Sequence, residues 1–271
     1  MKRRHVLISV IFLILGIAVW FFSFSATEKS EGGKIENVIP LEQKTESSLP
    51  TIQEGKGEET AIKTEIAPET KKIRGSSLLE NVPFTVQAPF GEWSDPIFQN
   101  GCEEAALLMA QYWITGETLT KEIAKKEIEA ISAFEKKDIG QSVDTSAKDT
   151  EKVFRDYYGV TTSEVRTNIT LLDVEEALSS GWLVIVPADG RKLKNPNYVQ
   201  PGPVTHMLVI IGYDAEKKEF ITNDSGTRNG KGYQYKENIL FEAIRDYPTG
   251  NHLPINGIEK SMIVVRKDST L

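Results

Sequence analysis

Cysteine is almost absent from this chain: Cys102 is the only one in 271 residues. No intramolecular disulfide can form, so stability must come from an apolar core, and the thiol is either buried and inert or kept for its reactivity. Histidine is scarce too, limited to His5, His206 and His252. No HExxH, CxxC pair or EF-hand loop occurs, so a zinc site has little to build on. The segment GTRNGKG lacks Walker A spacing and reads as no phosphate loop. Basic residues are in the minority, 32 against 39 acidic ones, and the net charge of −7 leaves no footprint for nucleic acid. Aromatic residues are missing altogether from residues 27–80. That segment is rich in Glu, Lys, Thr, Ser and Gly and cannot bury enough apolar surface to offset its ordering entropy. It reads as a disordered tether with an average reach of about 40 Å.

Charge is missing from a second stretch. Residues 6–24, VLISVIFLILGIAVWFFSF, form a run of 19 uncharged residues, enough to cross a hydrocarbon core of ~30 Å as a helix. Lys2, Arg3 and Arg4 precede it, which places the N-terminus in the cytoplasm and the rest outside. The expectation is a single-pass anchor over residues 1–26. The alternative is a cleaved signal peptide with Ser23 and Ser25 before the cut, which would make the protein secreted.

Prolines and aromatics arrive together at NVPFTVQAPFGEW, and residues 81–271 read as one domain large enough to hold its own core. CEEAALLMAQYWITG predicts a helix over 102–115, stopped by Gly116. LTKEIAKKEIEAISAFEKK and TSAKDTEKVFRDYYG predict two amphipathic helices, and ITLLDVEEALSSG a fourth capped by Thr170. Then the period changes. WLVIVPA, HMLVIIGYD, KEFITND and SMIVVRK read as strands, with ENILFEAIRDY a late helix among them. Helices first and strands later predict an α+β architecture.

The candidate chemistry starts at Cys102, where a helix N-terminus favours the thiolate while Glu103 and Glu104 oppose it. Activation needs an imidazole, and His206 stands at the entrance of a strand that is apolar on both faces. A hairpin centred near Ala215 or Glu216 puts Asn223 and Asp224 roughly opposite His206, where a carboxylate would fix its tautomer. Taken singly, each residue also has an ordinary reading. Cys102 is then a small core residue, His206 a satisfied structural group and Asp224 a turn former. His252, in the loop PTGNHLP, reads as a plain loop residue.

VPFTVQAPFGEWSDPIFQNGCEEAALLMAQYW followed by HMLVIIGYDAEKKEFITNDSGTRNGKGY resembles the C39-like cysteine peptidase family. The resemblance implies a papain-like fold, with the cysteine helix packed on an antiparallel sheet. It implies Cys102 as nucleophile, His206 as general base and acid, and Asp224 (or Asn223) as the residue orienting the histidine. It also implies Gln87 as the oxyanion residue, with Gln99 as a competitor nearer the cysteine. The chain departs from the pattern in having Glu103 and Glu104 where many relatives have Gly-Pro, and NDSG in place of NDP. Two carboxylates beside the thiol would raise its pKa. The expected activity is hydrolysis of peptide bonds outside the cytoplasm, with no cofactor or metal and a peptide or protein as partner. A non-catalytic peptide- or cell-wall-binding module and a cell-wall amidase or endopeptidase are the alternatives.

Overall fold

A computed structural model of the chain describes residues 75–267. The expected anchor over 6–24, and the expected tether up to residue 74, lie outside the described residues. Among the described residues no helix is long and apolar enough to cross a membrane.

The expected helices and strands appear in their expected order, with five short elements among them that were not expected. First come β1 (Ser77–Leu78), α1 (Pro96–Gln99), α2 (Cys102–Thr115), α3 (Lys121–Asp138) and α4 (Ala147–Tyr158). Then follow β2 (Ser163–Thr167), α5 (Leu171–Ser179), β3 (Leu183–Ala188) and α6 (Gly190–Leu193). β4 (His206–Asp214), β5 (Glu219–Asn223), β6 (Tyr233–Lys236), α7 (Glu237–Ala243) and β7 (Ser261–Val265) complete the chain. The helix boundaries have local causes. Thr120, Ser146 and Thr170 each accept a backbone N–H of the turn they start, and Thr170 with Asp173 forms a full capping box. Gly116 and Gly159 end α2 and α4 in the left-handed conformation.

The strands form one seven-stranded sheet in the order β2-β7-β3-β4-β5-β6, with β1 also paired to β4. Every pairing is antiparallel, as a mixed helix and antiparallel sheet fold requires. Alternation along β4 sends Met207, Val209 and Ile211 to one face and Leu208 and Ile210 to the other. The first face packs against Ala106, Met109, Ala110 and Trp113 of α2 and Phe154 of α4. The second packs against Val174 and Leu178 of α5 and Leu240 of α7. Each fully buried Leu, Val or Phe in these layers contributes about 1.5–3 kcal/mol, so both faces of the central strand are anchored and its end is held still.

Three expectations need correction. The domain starts before residue 81, because Ser77 and Leu78 pair with Tyr213 and Gly212, and the Leu79 N–H reaches the Ile211 carbonyl at 2.8 Å. Gly212 makes this possible: a Cβ there would lie 2.5 Å from the Ser77 carbonyl oxygen. The late helix stops at Ala243, short of Tyr247, because Ile244 leaves it to bridge Ala188 at the end of β3. The β4–β5 register also differs. Asp214 caps the turn by accepting from the Glu216 and Lys217 N–H groups, and an irregularity between Ile210 and Gly212 shifts the pairing. The ladder closes with Val209 opposite Asn223, so Asp224 lies just beyond the last pair.

Candidate active site

Cys102 is the first residue of α2 and is 6% exposed. Its helix packs on β4, whose first residue is His206, and both side chains line one cavity of about 700 Å³. The backbone of Met207, the neighbour of His206, lies beside the sulfur. The two distant segments therefore meet at the end of β4, because α2 crosses the sheet there. The thiol itself donates to Glu103 Oε2 at 2.9 Å. Burial pushes its pKa well above the usual range, and the Glu103 charge and hydrogen bond add to that. The helix-end effect expected at this position is outweighed by desolvation, so Cys102 stands as a thiol.

His206 is buried, and its Nε2 meets Asp224 Oδ1 at 2.9 Å. Among the described residues Nδ1 has no hydrogen-bond partner, which leaves it for a group in the cavity. Tyr198 packs edge-on against the ring, with centroids 5.6 Å apart. Gly226 lies against the imidazole, where a Cβ would sit 2.9 Å from His206 Cε1.

Asp224 is fully buried and collects five donors. His206 Nε2 and the Gly226 N–H serve Oδ1, at 2.9 and 3.0 Å. The hydroxyls of Tyr198 and Tyr235, both at 2.6 Å, and Asn195 Nδ2 at 3.3 Å serve Oδ2. Burial alone would raise its pKa, but the His206 charge and the bonds from His206, Tyr198 and Tyr235 outweigh it and hold the carboxyl at about 2. Asn223 points elsewhere: its Nδ2 donates to the Pro83 carbonyl and its Oδ1 accepts the Gly232 N–H. The geometry thus brings Asp224, and not Asn223, to the histidine.

Gln87 lines the same cavity, and its Nε2 donates to the carbonyls of Phe98 and Gln99 at 3.1 and 2.9 Å. Two acceptors suffice to occupy both of its N–H bonds, while its Oε1 is buried without a partner. Gln99 also lines the cavity, is exposed, and keeps its side-chain amide unbonded among the described residues. The Cys102 N–H, at the uncapped start of α2, has no acceptor among the described residues either.

His252, read from sequence as a plain loop residue, is on this cavity wall. Its Nδ1 and its backbone N–H both meet Asp144 Oδ2, at 3.1 and 3.0 Å, and Asp144 Oδ1 accepts from Thr205, the neighbour of His206. Nothing local marks this pairing, since the partners are 108 residues apart. Val199, Val204 and Leu253 also line the cavity as exposed apolar side chains. Among the described residues no group of three or more His, Cys, Asp or Glu is placed to hold a metal ion.

The arrangement can deliver a nucleophile, a proton carrier fixed in one tautomer, and N–H donors to one point in a cleft. No curated protein matches the chain. Among solved structures, one named as a C39-like peptidase from Bacillus anthracis aligns at 13% identity with a TM-score of 0.41, over 72% of this chain and all of that one. The sequence profile described as "Peptidase_C39 like family" matches residues 79–248, well over half of the chain and including Cys102, His206 and Asp224. On that match the chain belongs to the Peptidase_C39 like family, and peptide-bond hydrolysis is its activity at the level of the family.

Proposed function

We propose that the protein is a cysteine peptidase that works through a thioester acyl-enzyme. The reading rests on Cys102 and His206 lining one cavity while His206 Nε2 is held by Asp224. His206 Nδ1 takes the thiol proton as Cys102 Sγ attacks the carbonyl carbon, and the bond to oxygen opens into an oxyanion. The Cys102 N–H and a glutamine amide stabilise that charge. Gln99 offers its amide without losing another bond, whereas Gln87 must release a carbonyl to do so. The imidazolium then protonates the amine as the C–N bond breaks. Water, deprotonated by the same ring, cleaves the thioester to a carboxylic acid and restores the thiol. Asp224 keeps the proton on Nε2 and stabilises the imidazolium.

Exposed Val199, Val204 and Leu253 on the cleft favour a substrate with apolar side chains. We place the domain outside the cytoplasm on a membrane anchor at residues 6–24, supported by the uncharged run and the preceding Lys2, Arg3 and Arg4.

The test incubates the full chain with a mixed peptide library and with peptidoglycan fragments. Cleavage of peptides, abolished in Cys102→Ala and His206→Ala, supports the reading; cleavage of peptidoglycan alone points to a cell-wall amidase. The bond of the thiol to Glu103, and not to the imidazole, favours one further reading, a module that binds peptides without cutting them. In that case Cys102→Ala leaves peptide binding unchanged and no protein in the set releases product.

A further inference from the structure

Glu103 is the second residue of α2 and is 2% exposed. Its two oxygens have different tasks. Oε2 receives the Cys102 thiol at 2.9 Å, while Oε1 receives the Tyr247 hydroxyl at 2.7 Å and the Thr145 N–H at 3.4 Å. The three donors come from α2, from the loop before α4 and from the segment after α7, so three separate parts of the fold aim this carboxylate at the sulfur. All three point hydrogens at it, which suits a carboxylate and not a carboxylic acid. Among the described residues no lysine or arginine pairs with it.

The other titratable groups around this pair are acidic or phenolic, apart from one imidazole. Glu104 follows on α2 and lies beside Glu135 of α3; Asp144 and Tyr247 face Glu103 from the loops. From β4 comes His206, which lines the same cavity as Cys102. A thiolate and a carboxylate in contact, in a pocket with little water, repel strongly. Cys102 and Glu103 therefore hold one proton between them, and in the arrangement seen it is on sulfur.

We propose that Glu103 is a positioning residue that restrains the nucleophile, keeping Cys102 as a bound thiol until its hydrogen is passed to His206. The step conserves atoms: the S–H bond breaks, the proton moves to Nδ1, and the S–H···O contact with Glu103 is lost. The idea rests on Cys102 being the reactive thiol, but it is read from titration of that thiol and not from peptide turnover. Burial and the Glu103 contact both raise the thiol pKa, and only the second is removed by substitution.

The experiment follows iodoacetamide alkylation against pH on the folded full chain, where a single cysteine makes the readout unambiguous. Glu103→Gln keeps an acceptor for Tyr247 and Thr145 but removes the charge. Its alkylation midpoint should fall by about one pH unit or more, a roughly tenfold faster reaction at neutral pH. An unchanged or raised midpoint overturns the proposal. Should Glu103→Gln fail to fold, Glu103→Asp, which withdraws the carboxylate from sulfur, must still lower the midpoint, and by less; no shift there overturns it too. A lowered midpoint in a protein that cleaves no peptide would sustain the restraint while removing the peptidase reading, so the two fail separately.

Discussion

Replacing Asp224 by Asn keeps the shape of the side chain and removes its charge. The carboxyl is held at about 2 against an ordinary value of 3.8, so the native fold binds its ionised form more tightly than the unfolded chain does. At about 1.4 kcal/mol per pH unit, that difference is worth about 2 kcal/mol at neutral pH. Asparagine adds a second cost. Donors reach both oxygens of Asp224, so its amide nitrogen must face donors on one side or the other, at about 1–3 kcal/mol. A loss of about 3–5 kcal/mol follows, a large part of the ~5–15 kcal/mol that holds an ordinary domain together. The sign of the pH dependence is also determined. The folded pKa is depressed, so the stabilisation is present above 3.8 and disappears as the pH falls through about 2. Urea unfolding of the wild type and Asp224→Asn at pH 7, 4 and 2 measures the gap directly. The gap should narrow by about 2 kcal/mol between pH 4 and pH 2; a gap of constant size would refute the electrostatic account.

Gly226→Ala places a methyl 2.9 Å from His206 Cε1 and 3.3 Å from Asp224 Oδ1, so the ring must move. The fold should survive a cost of about 1–3 kcal/mol while kcat/KM for peptide cleavage falls at least about tenfold. Gln99→Ala should lower kcat about 100-fold if its free amide holds the oxyanion. Gln87→Ala should instead lower the melting temperature, because the carbonyls of Phe98 and Gln99 lose their donor; steady-state kinetics and calorimetry on both variants separate the roles. Glu135 is pushed up to about 8, first by burial and then by the Glu103 charge. The folded chain therefore holds a proton that the unfolded chain releases above about 4.5, and stability falls as the pH rises from there to about 8. Glu135→Gln should flatten that decline in melting temperatures recorded between pH 5 and 8.

Much of this fold is written locally. The helices α3 to α5 carry side-chain caps, α2 and α4 end on their own glycines, and all four show helical apolar spacing, while β3, β4, β5 and β7 are short apolar runs. β2 was not legible because SEVRT lies on a half-exposed sheet edge and alternates charge without an apolar run. β1 is two residues long and exists only because β4 has a glycine opposite it. The hairpin register moved because nothing in HMLVIIGYD announces the irregularity at Ile211. At the candidate site, Cys102 and His206 stand out as scarce residue types, and the hairpin narrows the third member only to Asn223 or Asp224, between which the hydrogen bond to His206 decides. Glu103 is visible as a charge next to the thiol, but its burial depends on Tyr247 and Thr145, far along the chain. His252 has no local signal at all, since only the closure of its loop on Asp144 brings it to the cavity.

The pairing of Ser77 and Leu78 with Tyr213 and Gly212 has a geometric corollary. Gly212 lies six residue steps along β4 from His206, about 20 Å at the usual rise of a strand. The polypeptide thus moors at one tip of the central strand while its reactive groups gather at the other.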